Sequence, residues 1–249
     1  MRLAAILFSA ALCAACATGP ASNPDAKLPK EHNEAVRVRV QLGLHYLRRE
    51  EYAQALRVLT EADRRYPHLP GPASALALVY ERINDAPAAE AHFRRAIERD
   101  PHDAGIRNNY ANFLCRRGRY EQALAQFDRA FEDRLYRQPE QIHTNAGLCA
   151  RRIPDLDLAQ RHLREALRLA PEYPVALYTL AEISLERRRY RAGLDYLARF
   201  AAKSPLTAAG LQLGVRLARG DKDRDQELHY THALRRDFPH SPEAHWLLH

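Results

Sequence analysis

The chain lacks the sequence motifs that most bond-making sites carry. Its 249 residues contain no GxxxxGK or GxGxxG phosphate loop, no GxSxG nucleophile elbow, no HExxH motif and no pair of CxxC motifs with zinc-finger spacing. Twelve histidines are present, and the closest approach to a ligand pair is His229 and His232, one helical turn apart. We therefore expect no metal, no cofactor and no enzymatic activity, and the sequence predicts a binding scaffold.

The chain also lacks an apolar run long enough to cross a bilayer as a helix. Its apolar stretch at the N-terminus, Leu3–Leu12, follows Arg2 and is followed by Cys13 and Cys16. A positive residue, a short apolar core and then a processing site are typical of a signal peptide. We predict a lipoprotein signal peptide over residues 1–15 and lipid attachment at Cys16, although Cys13 stands where Leu is usual. The alternative is an ordinary cleaved secretory peptide.

The residue after the predicted lipidation site is Ala17 rather than Asp, so no inner-membrane retention signal is evident. Several acyl chains on one cysteine anchor a protein firmly. The expected location is therefore the periplasmic face of an outer membrane. Residues 16–35 are rich in Pro, Ala and polar residues and have no period, which predicts a lipidated flexible tether.

Acidic residues are only slightly outnumbered, by 38 Lys and Arg to 31 Asp and Glu, which gives a net charge of +7. The arginines are dispersed, and no basic run is interleaved with aromatic residues, which argues against nucleic-acid binding. Most of this charge is expected on solvated surface. A basic face toward anionic lipid or an acidic partner is the alternative.

A 34-residue period is present over most of the chain. Ala55, Ala89 and Ala123 are 34 residues apart, and a large apolar residue follows each after three further positions. Prolines close most of the copies: Pro67, Pro101, Pro171, Pro205 and Pro239, with Leu135 where one is missing. A 34-residue period with this spacing is the tetratricopeptide signature, in which each repeat is a helix–turn–helix unit.

The period predicts an all-α fold, a right-handed superhelical solenoid of about six tetratricopeptide helix pairs. We place the solenoid over residues 36–249, with repeats near 36–69, 70–103, 104–137, 140–173, 174–207 and 208–240 and a short capping helix after them. Repeat four resumes the period after two extra residues, Gln138 and Pro139. Repeat six carries Glu227 where Ala is expected, and Ser241-Pro242 is a typical helix start.

Two groups of residues are candidates for binding a partner. In repeat one, Leu42, Gly43 and Tyr46 are expected in the core, while Val40, Leu44 and Leu47 fall on the face that such arrays turn toward their concave groove. An apolar inner face is covered either by the N-terminal tether or by a partner. In repeat three, Asn108 and Asn112 lie on one stripe of the first helix. They either hydrogen-bond neighbouring loops or hold a partner's backbone.

The two internal cysteines, Cys115 and Cys149, fall near the same height on the first helices of repeats three and four. In an exported protein the compartment favours oxidation. We predict a structural disulfide between them, with two buried thiols or a redox role as the alternatives.

The residues NNYANFLC from Asn108, GRYEQA from Gly118 and NAGLC from Asn145 resemble the type IV pilus biogenesis/stability family, the secretin pilotins. The resemblance covers the mature chain, including the lipoprotein signal, the tether and six repeats. It implies an outer-membrane lipoprotein that binds the secretin subunit of the type IV pilus machine and promotes its multimerisation, and so pilus biogenesis. We expect a monomer held at the membrane by its N-terminal lipid.

Two other functions are compatible with the sequence. One is another outer-membrane lipoprotein scaffold, for barrel assembly or for cell-wall enzymes. The other is an adaptor whose repeats serve a cytosolic partner, which would require that Cys16 carries no lipid.

Overall fold

The computed structural model describes residues 30–153 and 155–247, which form thirteen helices and no strand. The helices, numbered in chain order, are α1 (Lys30–Arg48), α2 (Tyr52–Arg65), α3 (Pro70–Arg82), α4 (Ala86–Arg99), α5 (Ala104–Arg116), α6 (Tyr120–Ala130), α7 (Pro139–Ala150), α8 (Leu156–Leu169), α9 (Pro174–Glu186), α10 (Tyr190–Ala201), α11 (Ala208–Asp221), α12 (Arg224–Asp237) and α13 (Pro242–Trp246).

Helices α1 to α12 form six consecutive pairs, each packed most extensively within itself and then against the next pair. Odd-numbered helices also meet across repeats, as α1 does with α3, α7 with α9 and α9 with α11. They therefore form the inner layer of the array, and the even-numbered helices form the outer layer. The prediction of an all-α tetratricopeptide solenoid is confirmed.

The 34-residue columns form the core because helix pairs bring them together. The small residues Ala55, Ala89 and Ala123 are fully buried, as are the large residues of the same helices, Leu59, Phe93 and Phe127. Small side chains let the two helices approach, and each large one fills the space between repeats. Burying one such Leu or Phe contributes roughly 1.5–3 kcal/mol.

Local sequence sets where the helices begin and end. Side chains of Asp85, Asp103, Asp155, Thr207, Asp223 and Ser241 each accept a hydrogen bond from a backbone N–H of the first turn. Helices α2, α4, α8 and α12 end two residues before a proline, which lacks the N–H needed to continue. Repeat three has Leu135 instead, and α6 is the shortest outer helix, followed by a turn over residues 131–138.

Helix α1 begins at Lys30, so residues 30–35, predicted as part of the tether, belong to a helix. No proline or glycine interrupts the sequence between Lys30 and Gln41. The residues before Lys30 lie outside the described part of the chain, so the predicted signal peptide, Cys16 and the rest of the tether lie outside it too.

The prediction that Leu42 belongs to the core is wrong, because its side chain is 41% exposed. The equivalent residues of later repeats, such as Leu76 and Leu180, are buried against the preceding repeat. α1 is the first described helix, and no described element lies on that side of it. Leu42 and Val38, which is 60% exposed, form this end of the array.

The other end is closed by α13. Ser241 caps this helix by accepting a hydrogen bond from the Ala244 N–H at 3.1 Å, and Trp246 and Leu247 pack against the core of repeat six. Glu227, which replaces the expected alanine, accepts a hydrogen bond from Arg219 at 2.7 Å, and the Arg219 guanidinium lies 5.1 Å from the Trp246 ring. This polar substitution therefore helps hold the cap.

Candidate partner-binding groove

The inner helices present one column of side chains along the array: Leu44, Leu78, Asn112, Leu148, Glu182 and Arg216. These positions recur every 34 residues, or 36 across the insertion, so they face the same way in each repeat. The column is mainly apolar in repeats one to four and charged in repeats five and six. The inner surface therefore has two chemically different halves.

The N-terminal half holds a pocket of about 590 Å³ between α1, α3 and α5. Leu47 and Leu78 supply its apolar wall, and Arg82 lies at its rim. Glu81 also lines it, but its carboxylate accepts two hydrogen bonds from Arg116, at 2.7 and 2.8 Å. An apolar wall with a cationic rim can take an apolar side chain of a partner.

The three residues predicted to bind a partner in repeat one are partly buried against repeat two. Val40, Leu44 and Leu47 pack against the cluster formed by α2 and α3. Val40 contacts the backbone at Gly71, where a Cβ would lie 3.6 Å from its Cγ2. The expected open apolar strip is therefore narrower than the sequence predicted, because α3 covers part of it. Leu47 is the one of the three that lines the pocket.

Asn108 does not face a partner. Its side chain is only 4% exposed, and its Oδ1 accepts a hydrogen bond from Asn145 Nδ2 at 2.9 Å. The bond joins α5 to α7, so the residue holds repeats three and four together; the hydrogen-bonding alternative was the right one, with a helix rather than a loop as partner. Asn112 is partly buried on the inner face, between Leu78 and Leu148 in the column.

Cys115 and Cys149 are joined as a disulfide between α5 and α7, with their Cα atoms 5.8 Å apart. Both residues are buried. The bond lies on the inner layer beside the Asn108–Asn145 hydrogen bond, so two cross-links of different kinds connect the same two helices. The formation of the bond in the exported protein stays a prediction.

The sequence did not identify a second inner pocket, in repeats four to six. It has a volume of about 420 Å³ and is lined by residues of α7, α9 and α11 and of the turn before α10. The departure of Arg216 from an otherwise Leu- and Asn-rich column was the one available signal. Its relation to the other walls depends on how three repeats stack.

None of the helices in residues 30–153 and 155–247 combines the length and apolar character needed to cross a bilayer. The same residues hold no group of three or more His, Cys, Asp or Glu side chains placed to bind a metal ion. Within this part of the chain, the inner surface is the feature suited to function.

Comparison with known proteins places these features in context. Two tetratricopeptide-repeat families match, one over residues 40–104 and 111–174 and the other over residues 84–134. The chain is 31% identical over 243 residues to the type IV pilus assembly protein PilF of Pseudomonas aeruginosa, an alignment that covers 98% of this chain and 96% of that protein.

Two solved structures are similar over nearly their whole lengths. A structure of Pseudomonas aeruginosa PilF is 30% identical, with a TM-score of 0.77, covering 88% of this chain and 98% of that one. The crystal structure of PilW, described as a widely conserved type IV pilus biogenesis factor, is 27% identical, with a TM-score of 0.76, covering 86% of this chain and 99% of that one.

Proposed function

This chain belongs to the family of tetratricopeptide-repeat proteins of the type IV pilus, and we propose that within it the protein is the pilotin of the pilus secretin. It acts by binding, without bond-making chemistry of its own. Lipid at Cys16 holds it on the periplasmic face of the outer membrane, and its inner groove captures a segment of a secretin subunit. Concentrating subunits at the membrane favours their multimerisation, and so pilus assembly.

The observation that carries this proposal is the apolar pocket of repeats one and two. Leu47 and Leu78 line it, Leu44 lies beside it in the inner column, and its volume of about 590 Å³ accommodates one or two side chains of an extended segment. It lies in the repeats nearest to the predicted lipid anchor. A subunit segment bound there is held close to the membrane into which the secretin assembles.

The experiment places a charge in this pocket. We expect Leu44→Asp and Leu47→Asp each to weaken secretin binding at least tenfold and to reduce the secretin multimer on gels of cell envelopes, because a carboxylate buried by the partner loses its hydration. Leu135→Asp is the matched control, since Leu135 is 90% exposed in the turn between α6 and α7. It should leave the multimer unchanged.

Circular dichroism separates a binding defect from a folding defect, which is necessary because Leu44 and Leu47 are partly buried. A folded variant with an unchanged multimer removes the pocket from the mechanism. A pull-down that recovers barrel-assembly or cell-wall proteins from envelopes lacking secretin would favour a different outer-membrane scaffold. Absence of palmitate label from Cys16 would contradict the proposed anchoring.

A further inference from the structure

The pocket of repeats four to six lies apart from the pocket assigned above to the secretin and shares no lining residue with it. Its apolar part is formed by two leucines and two tyrosines, contributed by α9, α10 and α11: Leu185, Leu213, Tyr178 and Tyr190. Tyr178 packs edge-on against Phe200, with ring centroids 5.4 Å apart, which fixes that wall of the pocket. Rigid aromatic walls bind apolar side chains at a small entropic cost.

The acidic residues of this pocket are already neutralised. Arg151, on α7, donates hydrogen bonds to Glu182 and, at 2.5 Å, to Glu186, both on α9. Burial on its own lowers the pKa of Arg151, and the two glutamates outweigh that effect and raise it. The two carboxylates therefore do not compete strongly for an incoming cation, and they fix Arg151 between repeats four and five.

Two further arginines at the pocket lie exposed and unpaired. Within the described residues, Arg188 and Arg216 make no ion pair and no hydrogen bond. Arg188 lies in the turn before α10, and Arg216 lies on α11, where the same column carries Leu, Asn or Glu in the other repeats. With Arg151, the pocket has three guanidiniums against two carboxylates, so its uncompensated charge is positive.

We propose that this pocket is a second docking site, which binds an extended acidic segment of a protein partner. An apolar or aromatic side chain of that segment occupies the space between the tyrosines and leucines, and neighbouring Asp or Glu side chains pair with Arg188 and Arg216. Guanidinium–carboxylate pairs of this kind are charge-assisted and often bidentate. A flat anionic membrane is a poorer fit, because the arginines surround a recess on the inner face of the array.

The test uses the full-length chain and a fluorescein-labelled peptide, Gly-Ser-Glu-Phe-Glu-Glu-Ser-Gly, with fluorescence anisotropy as the readout. Matched peptides replace every Glu by Gln or by Lys. We expect the Glu peptide to bind at least tenfold more tightly than the Gln peptide at low salt, and the Lys peptide to bind least. Affinity for the Glu peptide should fall as salt is raised, because exposed charge pairs are screened.

Charge reversal at the two arginines locates the binding site. Arg216→Glu and Arg188→Glu should each weaken binding of the Glu peptide about tenfold or more, since each removes a charge-assisted contact and adds repulsion. The double variant should prefer the Lys peptide. Glu is tolerated in the backbone conformation of Arg188 (φ 55°), because Glu50 adopts φ 61° at the equivalent turn of repeat one.

Arg164→Glu is the matched control, because Arg164 is exposed on the outer helix α8 and makes no ion pair within the described residues. Equal losses for Arg164→Glu and Arg216→Glu would show diffuse attraction to a basic protein and overturn the proposal. So would equal binding of the Glu and Gln peptides, or no binding. A concentration-dependent dimer abolished by Arg216→Glu would identify a second copy as the occupant and also overturn it.

The two sites can be separated, because Leu44→Asp should leave binding of the Glu peptide unchanged. Loss of secretin binding in Leu44→Asp with intact peptide binding would support both sites. Peptide binding by a protein that never engages secretin would leave this second site standing and remove the proposed function alone.

Discussion

His143 and His162 form an aromatic cluster with Phe131 between α7 and α8. The ring centroids of Phe131 and His143 are 4.2 Å apart, and the two histidine Nδ1 atoms lie 3.2 Å apart. Burial lowers the pKa of His143 to about 4, and neighbouring His162 lowers it further in the same direction. Burial likewise lowers the pKa of His162. The folded protein therefore holds both rings neutral.

This cluster makes stability depend on pH. Between pH 6.5 and about 4, the unfolded chain binds protons at these histidines that the folded chain does not, so the free energy of unfolding falls as pH falls through that window. We expect His143→Phe, which keeps a ring on Phe131, to remove part of that fall. The difference, after allowance for partial solvent screening, should be about 1–2 kcal/mol.

Urea unfolding at pH 7.5 and pH 5 measures the effect. The control is His102→Gln, because His102 is exposed and outside the cluster. An identical loss of stability between the two pH values in the wild type and in His143→Phe would contradict the assignment.

At the scale of the helix, close approach within a repeat depends on glycine. A Cβ at Gly43 in α1 would lie 2.4 Å from Leu59 Cγ in α2, inside the distance that packed atoms tolerate. At Gly71 in α3, by contrast, the nearest neighbour of a Cβ is Val40 Cγ2 at 3.6 Å, an ordinary van der Waals contact. Both residues are helical, so the same substitution at each separates packing from helix propensity.

We expect Gly43→Ala to destabilise the array by roughly 1–3 kcal/mol, because Leu59 must leave its place in the core. Gly71→Ala should be neutral or stabilising by up to about 1 kcal/mol, because alanine favours the helix and meets no obstacle. Thermal unfolding followed by circular dichroism compares the two. Equal effects would show that α1 and α2 are not as close as the structure has them.

The turns between the helices of a repeat share one backbone feature. Glu50, Asn84, Gly118, Arg188 and Lys222 all have φ between 55° and 75°. They are 34 residues apart, except across repeat four, where the insertion shifts the register. Since every such turn has this conformation, the positive φ of Arg188 comes from the repeat and is no sign of strain peculiar to its pocket.

At the scale of the whole molecule, the disulfide joins the two halves of the array. Its two cysteines belong to one hydrophobic cluster that extends from repeat two to repeat four, where the period is interrupted by extra residues. Closing a loop of 34 residues is worth roughly 3–4 kcal/mol on the chain-entropy model. We expect Cys115→Ser with Cys149→Ser to lower the free energy of unfolding by about this amount.

Alkylation tests whether the bond forms. Denatured but unreduced protein should leave both internal cysteines unlabelled, and both should label after reduction. Stability of the double serine variant should no longer respond to reductant, whereas that of the wild type should. Free thiols at both positions before reduction would end the proposal.

The sequence by itself determined the fold, because a solenoid is built from contacts between neighbouring repeats. The alanine column at Ala55 and the proline at Pro101 predict helix packing and helix ends from spacing alone. Each helix contacts mainly the next few in the chain, so periodicity carries nearly all of the topology. The pairing of Cys115 with Cys149 follows from the same register.

Tertiary structure decided which residues remain open to a partner. The sequence could not show that α3 covers part of Val40, that Asn145 occupies Asn108, or that Leu42 lies uncovered at the end of the array. It also could not bring Arg188 and Arg216 to one pocket. A side chain's exposure depends on the distances and angles between packed helices, and a repeat pattern fixes the order of the helices without fixing what lies across the groove.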